Sequence, residues 1–410
     1  MIYAFILGKN PTLSVAEIIT VLASLGLGFS IISLSRQALI VKWETDQNPN
    51  FLQEILGGTV KIIRILDKKP KREFDLTLYC QNFLHNLGIA KLTFGLSFYN
   101  SNTQTPKKIN ELGLKIKKEL KAKNVRSRFV SANQTPALTS VVARSIVLKE
   151  NGIEFCFIET ENDFFIGKTI TTQDFENYNR RDYGRPAPDP RGGMMPPKLA
   201  QILLNLSIKQ RNVPNVIFDP FCGTGTILAE ALLLGQIVFG SDIDKFKIDL
   251  ANKNLKWFSK NFIYSGTLAG IFEADATKIK SSNLPLSPDA IISEPYLGPP
   301  LVKLPSQDRL KLIIQELADL YLKFLSNARF LIKEQGRIVI ALPVFQTKKL
   351  RYLPIIDELD KIGYNIVDLL ENLESWKKDV LTEYNNERNT IIYSRPGQFI
   401  AREIIVLEKV

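Results

Sequence analysis

The most informative stretch of the sequence is Asp219-Pro220-Phe221-Cys222-Gly223-Thr224-Gly225-Thr226, which follows the apolar run Val216 to Phe218 and precedes an apolar-periodic segment from Ile227. A strand-to-helix turn of this kind suits a nucleotide-type ligand. Gly223 and Gly225 can adopt positive φ and admit a ligand close to the main chain, while the start of the helix offers N–H groups without intrahelical partners. The third glycine of a G-x-G-x-x-G cradle is missing. A ligand without a pyrophosphate, meeting these amides through a carboxylate, therefore fits the turn better.

Seventeen residues after Gly225, Gly240-Ser241-Asp242-Ile243-Asp244 places a carboxylate at the end of the next apolar run. Asp242 there can accept from both hydroxyls of a ribose, and Asp244 suits the N-cap of the helix that follows. Glu273-Ala274-Asp275-Ala276 comes after Ile271-Phe272, and Asp275 could accept from the exocyclic amine of an adenine, although such a tetrapeptide also makes an ordinary surface turn.

The fourth strand-like run, Ala290 to Ser293, leads into Glu294-Pro295-Tyr296-Leu297-Gly298. This is where the sequence places the reaction. An exocyclic base amine is a poor nucleophile because its lone pair is delocalised into the ring, so acceptors that hold its N–H groups help localise that pair for attack. Glu294 and the Pro295 carbonyl are the candidate acceptors, and Tyr296 can stack on an extruded base. Alone, the tripeptide could simply cap a strand. With Asp219, Gly223, Gly225 and Asp242 on adjacent strands, it reads as a site.

The elements that must position these residues follow from patterning. A chain of 410 residues, 45% apolar and 23% charged, predicts two or three folded domains and no membrane span. One histidine and three separated cysteines do not compose a zinc cage, and the cysteine usage fits a reducing cytoplasm, with only Cys80 and Cys156 open to meeting in space. Met1 to Leu7 reads as a first strand, with no basic start that would mark a signal peptide. Ser14 and Glu17 read as a capping box opening a helix to about Leu25. Paired strands at 31–34 and 39–43 and a helix and strand over 51–65 complete a small ferredoxin-like unit. The pattern restarts after residue 68 with a helix over 76–87, a strand over 92–98, a basic helix from Lys107 and strands near Phe129 and Phe155. Five prolines and three glycines between Gly184 and Pro197 mark a linker, after which strand and helix signals alternate as in a parallel sheet, closed by a hairpin around Arg395-Pro396-Gly397.

Taken in order, DPFCGTGT, GSDID, EADA and SEPYLG resemble the motifs of class I S-adenosylmethionine-dependent methyltransferases. With MIYAFILGKNPTLSVAEI, RRDYGRP and RGGMMPPKLA added, the chain is similar to the THUMP-domain tRNA guanine-N2-methyltransferases that act on guanosine at tRNA position 10. The resemblance implies an α/β fold: a Rossmann-like class I methyltransferase domain with a mostly parallel seven-stranded sheet (198–410), a linker (176–197), and a ferredoxin-like (1–68) plus THUMP (69–175) region before it. It implies S-adenosylmethionine as cofactor, S-adenosylhomocysteine as product, and contacts from Asp219, Phe221, Cys222, Gly223, Gly225, Asp242, Ile243, Asp275 and Ala276. The family's usual Asp-Pro-Pro-Tyr is not present. An ungapped register puts Glu294 at the acidic position, and a shift by one puts Ser293 first and Tyr296 in the aromatic place.

The net charge of +11 favours a polyanionic partner such as nucleic acid, and the resemblance implies that it is tRNA. Residues 107–128 hold nine Lys or Arg against two Glu, and Lys115, Lys118 and Lys121 recur at helical spacing, followed by Arg126 and Arg128. A solvated helix face accounts equally for such a run, and the resemblance favours RNA. Arg180, Arg181 and Arg185 are the further expected contacts. The expectation is a cytoplasmic enzyme methylating a guanosine N2 in tRNA. An adenine N6 or ribosomal guanine as acceptor, a catalytically silent RNA-binding protein, and the need for a small activating subunit all stay open.

Overall fold

The computed structural model describes residues 1–44, 49–72, 74–132, 134–147, 149–189, 194–377 and 379–410. Residues 190–193, part of the expected linker and of the RGGMMPP segment, lie outside them. The chain separates into two compact units, Met1–Pro11 with Leu27–Glu54 and Thr59–Phe175, and Thr12–Gly26 with Ile55–Gly58 and Glu176–Val410.

In the first unit β1 (Ile2–Leu7), β2 (Phe29–Leu34), β3 (Ala38–Trp43), β4 (Thr59–Pro70), β5 (Lys91–Tyr99), β6 (Arg126–Val130), β7 (Gly152–Glu159) and β8 (Asp163–Thr172) form one sheet. Its order is β2-β3-β1-β4-β8-β7-β5-β6. In chain order the first four strands alternate with α1 (Pro11–Ser24), which from Thr12 onward belongs to the second unit, and α2 (Asn50–Ile55), the split βαβ order expected of a ferredoxin-like unit. The sheet does not stop at residue 68. β4 is twelve residues long and pairs with β1 along its first half and with β8 through Pro70, so both parts of the unit share one strand. α3 (Leu76–Asn86) and α4 (Pro106–Ala122) cover one face, burying Cys80, Leu84, Ile109, Ile116 and Leu120 against Phe94, Phe155 and Ile166. α5 (Ser140–Val147) packs its Ala143 and Ile146 with Leu138.

Within this unit Lys61 and Glu154 form an ion pair at 2.6 Å whose side chains are 1% and 0% exposed. Ser97 and Thr169 hydroxyls donate to the two Glu154 oxygens at 2.5 and 2.6 Å, and Lys61 also donates to the Leu138 carbonyl at 2.7 Å. Satisfying both charges in this way is what makes their burial tolerable.

The capping-box reading of Ser14 and Glu17 is corrected. α1 starts three residues earlier, at Pro11, where a missing N–H costs nothing. Both residues are therefore inside the helix and turn to tertiary partners. Ser14 donates to the Gly58 carbonyl at 3.0 Å, and Glu17 accepts from Gly57 N–H, Gly58 N–H and the Asn205 amide at 2.8, 2.7 and 2.5 Å.

The second unit holds β9 (Val216–Asp219), β10 (Ile237–Asp242), β11 (Thr267–Glu273), β12 (Ala290–Ser293), β13 (Arg337–Gln346), β14 (Leu350–Arg351), β15 (Tyr364–Ile366), β16 (Tyr384–Asn385), β17 (Thr390–Tyr393) and β18 (Ile400–Lys409). They run β11-β10-β9-β12-β13-β18-β17-β16, with β14 on β13 and β15 on β18. The first five are mutually parallel, and β18 enters antiparallel between β13 and β17. This is the expected Rossmann-like arrangement, extended by short strands. Helices α6 (Phe175–Tyr183), α7 (Pro197–Ser207), α8 (Thr226–Leu233), α9 (Lys245–Asn261) and α10 (Gln307–Ala328) accompany it. α10 buries Leu310, Ile313, Leu317, Tyr321 and Phe324 with Phe218, Phe239, Ile291 and Ile338 of the sheet. The strand order reverses between β9 and β12, and the crevice beyond the carboxyl ends of strands at such a switch point is where open α/β sheets bind ligands.

Candidate active site

Asp219, Asp242 and Ser293 are the last residues of β9, β10 and β12, so the parallel register sets all three along one edge of the sheet. The loop after β9 turns back on that edge. Gly223 has φ +52° and Gly225 φ +83°, conformations other residues resist, and a Cβ on Gly223 would meet only the Phe221 carbonyl at 4.0 Å. The chain beside Gly223 thus faces open space, as a backbone cradle must. At Gly225, a Cβ would make ordinary contact with Ala251 of α9 at 3.4 Å, so there it is the positive φ that calls for glycine.

Asp242 ties the two motifs together. Its Oδ2 accepts the Gly223 N–H at 3.0 Å and its Oδ1 the Asp244 N–H at 3.0 Å. Each oxygen keeps a second lone pair, which is the acceptor set a ribose diol needs. Asp244 caps α9 as expected, accepting from Phe246 N–H at 2.9 Å. Ile243 and Phe246 stand exposed beside it, an apolar shelf of which the sequence reading took only Ile243.

Asp219 is buried and accepts from Ser293 Oγ at 2.8 Å and Phe221 N–H at 3.1 Å. Burial pushes its carboxyl from 3.8 up to about 7, against the pull of these donors and helped by the nearby charges of Asp242 and Glu294. Three carboxylates from three adjacent strands therefore converge here. Phe221 meets Phe324 edge-on with ring centres 5.1 Å apart, and burial raises the Cys222 thiol so far that it stays neutral at ordinary pH. Cys80, Cys156 and Cys222 are all free.

Asp275 is placed after β11 but is committed locally. Its oxygens take Thr277 N–H at 3.0 Å, Thr277 Oγ1 at 2.7 Å and Lys278 at 2.9 Å, and these donors hold its carboxyl down at about 2. It is the turn that the sequence left open. Ala276 next to it is buried.

After β12, Pro295 is buried while the Tyr296 ring is 55% exposed, and the Tyr321 hydroxyl of α10 donates to the Tyr296 carbonyl at 3.3 Å. Glu294 is paired with Arg402 of β18 through Nε and Oε1. The sequence reading had neither Ser293 as a partner of Asp219 nor Arg402.

The basic residues divide. Lys115, Lys118 and Lys121 of α4 and Arg126 and Arg128 of β6 are exposed, as is Arg180, whose guanidinium lies 4.9 Å from the Phe262 ring. Arg181 and Arg185 correct the expectation of an arginine-lined linker open to RNA. α6 extends through Tyr183 and turns Arg181 inward onto Glu230 of α8 at 2.7 Å, with side chains 10% and 1% exposed. Arg185, 6% exposed along its side chain, donates to Thr226 Oγ1 at 2.5 Å. Asn254 of α9 joins the Ala187 backbone to the Thr224 carbonyl at 2.9 and 3.0 Å, so this segment supports the glycine loop. Both guanidiniums are thus turned into the unit rather than outward, with Arg185 Nε buried and unpaired among the described residues.

Comparison with known proteins agrees with this geometry. A family model described as RMKL-like, methyltransferase domain matches residues 185–350, and one described as DNA methylase matches residues 39–253, over half of the chain. The tRNA (guanine(10)-N2)-dimethyltransferase of Methanothermobacter thermautotrophicus is 32% identical over 181 residues, 44% of this chain and 47% of that protein. Its namesake in Pyrococcus abyssi is 29% identical over 190 residues, 46% and 47% of the two. The chain spans about half the length of the curated relatives it matches. Over 100% of both chains the fold is similar to the crystal structure of TrmN from Thermus thermophilus, with a TM-score of 0.53 and 16% identity. With strand ends, glycine loop and matched models in agreement, the chain belongs to the methyltransferase family whose model is described as DNA methylase.

Proposed function

We propose that this protein, in the cytoplasm, transfers a methyl group from S-adenosylmethionine to the exocyclic N2 of a guanosine in tRNA, the position-10 type of reaction. The observation that carries the reading is the junction of Gly223 and Asp242 one strand away from Asp219 and two from Glu294, at the switch point of the sheet. The donor's carboxylate fits the amides of the loop at Gly223, its ribose the free lone pairs of Asp242, and its adenine the shelf at Ile243 and Phe246. When bound, S-adenosylmethionine supplies a methyl group on a positively charged sulfur and leaves as S-adenosylhomocysteine.

The protein's own part is alignment and proton handling. Tyr296 stacks on the extruded guanine, and Glu294 with the Pro295 carbonyl holds its N2–H groups so that the nitrogen lone pair faces the methyl carbon. With the donor bound, its methyl group would pass to the nitrogen as the carbon–sulfur bond breaks, and the Glu294 carboxylate would take the proton shed by the amine. The first unit holds the RNA. We read residues 69–175 as the THUMP region, with Lys115, Lys118, Lys121, Arg126 and Arg128 on phosphates, and Arg180 of the second unit as a separate phosphate contact. Support for that reading is their exposure on α4 and β6.

Glu294→Ala tests the assignment. Loss of a positioned acceptor lowers the rate of tRNA methylation by about a hundredfold or more while donor binding is kept. A variant that binds the donor and methylates tRNA at the normal rate contradicts it.

A further inference from the structure

The ion pair between Glu294 and Arg402 has no part in the steps above, and it lies against the group assigned to hold the amine. Arg402 is 108 residues away in sequence, on the antiparallel strand β18 opposite Pro343 of β13 and Tyr393 of β17. Its Nε donates to Glu294 Oε1, and the two side chains are 14% and 16% exposed. The contact uses one carboxylate oxygen. Oε2 of Glu294 has no donor among the described residues, whereas a forked pairing would have engaged both. The rest of the tripeptide is held from another side, by Tyr321 of α10 on the Tyr296 carbonyl.

A glutamate turns about three side-chain torsions, and one left free at a crevice edge would sample several positions. Stability alone does not explain the pair. Two nearly buried charges can commonly be replaced by apolar residues of similar volume without loss, while removing one partner strands the other. Resting on the function proposed above, we infer that Arg402 is a positioning residue for methyl transfer: it anchors Glu294 by Oε1 and leaves Oε2 for the substrate amine.

The test compares full-length wild type, Arg402→Met, Arg402→Lys, Glu294→Gln and the double variant Glu294→Gln/Arg402→Met. Methyl transfer to tRNA, donor affinity by calorimetry and thermal unfolding are measured for each. Arg402→Met is expected to lower kcat about thirtyfold, with donor affinity and the KM for tRNA within about threefold of wild type, because the interaction acts on the reacting geometry alone. Arg402→Lys restores about tenfold of that loss. The double variant runs within about threefold of Glu294→Gln, since Arg402 acts through Glu294 and its loss adds nothing once the carboxylate is gone. If Arg402→Met fails to fold, the double variant carries no stranded charge, and its rate against Glu294→Gln decides. A further drop of about tenfold in that comparison, or an Arg402→Met enzyme at the wild-type kcat, overturns the inference and leaves the function standing. A wild type with no transfer to tRNA overturns both.

Discussion

Asp242 Oδ2 accepts the backbone N–H of Gly223 across 3.0 Å, so the end of one strand fixes the shape of the loop that follows its neighbour. A hydrogen bond to a charged group contributes about 1.5–3 kcal/mol, and here the same carboxylate offers lone pairs to the ribose. Asp242→Ala is therefore expected to weaken S-adenosylmethionine binding by at least about tenfold in calorimetry, with the circular dichroism of the folded chain kept. Unchanged affinity would remove Asp242 from the cofactor site.

Asp219 gives the site a pH signature. Its carboxyl is raised from 3.8 to about 7 by burial, so over that window the folded chain keeps a proton that the unfolded chain has released. Its contribution to stability is present in full below the lower value, falls as pH rises through the window, and is flat above the upper one. Asp219→Asn retains an oxygen for Ser293 and Phe221 and cannot titrate. The unfolding free energy of wild type relative to Asp219→Asn should thus decline by a few kcal/mol between about pH 4 and about pH 7, at roughly 1.4 kcal/mol per pKa unit of separation. A difference independent of pH would contradict the raised carboxyl.

In the first unit, stability hangs on a paired charge. Lys61→Met leaves Glu154 sealed with two hydroxyls and no cation, which is expected to cost about 3–5 kcal/mol in urea unfolding. Exchanging both partners for apolar residues should recover most of that loss, whereas a change within about 0.5 kcal/mol for the single variant would show that the pair does not hold the unit together.

For RNA, the exposed lysines and the buried arginines predict opposite behaviour. Replacing Lys115, Lys118 and Lys121 together by Ala should weaken tRNA binding and reduce the magnitude of its log–log salt slope by about 2–3, as expected from the loss of three phosphate contacts. Arg181→Ala should instead lower thermal stability by stranding Glu230, with the salt slope unchanged. A salt slope that follows Arg181 would place RNA where the structure buries the guanidinium.

What was legible in the sequence was what is local. Asp219, Gly223, Gly225, Asp242 and Glu294 each follow a short apolar run, and the alternation of strand and helix was enough to align their strand ends. The misreadings share a physical origin. Ser14 and Glu17 have the spacing of a helix cap, yet a proline three residues earlier starts the helix, and the glycines at 57 and 58 that receive them lie about forty residues away. Arg181 and Arg185 sit next to a proline-rich stretch that gives no sign of α6 or of the buried Glu230. Arg402 belongs to an antiparallel strand, and only the order of the sheet brings it to Glu294. The division at residue 68 missed that β4 continues through Lys68 and Lys69, because charged residues at the far end of a long strand resemble a loop.

The central claim is tested by incubating the protein with isotopically labelled S-adenosylmethionine and bulk tRNA, then digesting the RNA and identifying the labelled nucleoside by mass spectrometry. Label is expected in N2-methylated guanosine, reduced about a hundredfold or more in rate when Glu294→Ala replaces the wild type. Label in another nucleoside, or none with a protein that binds the donor, would contradict it.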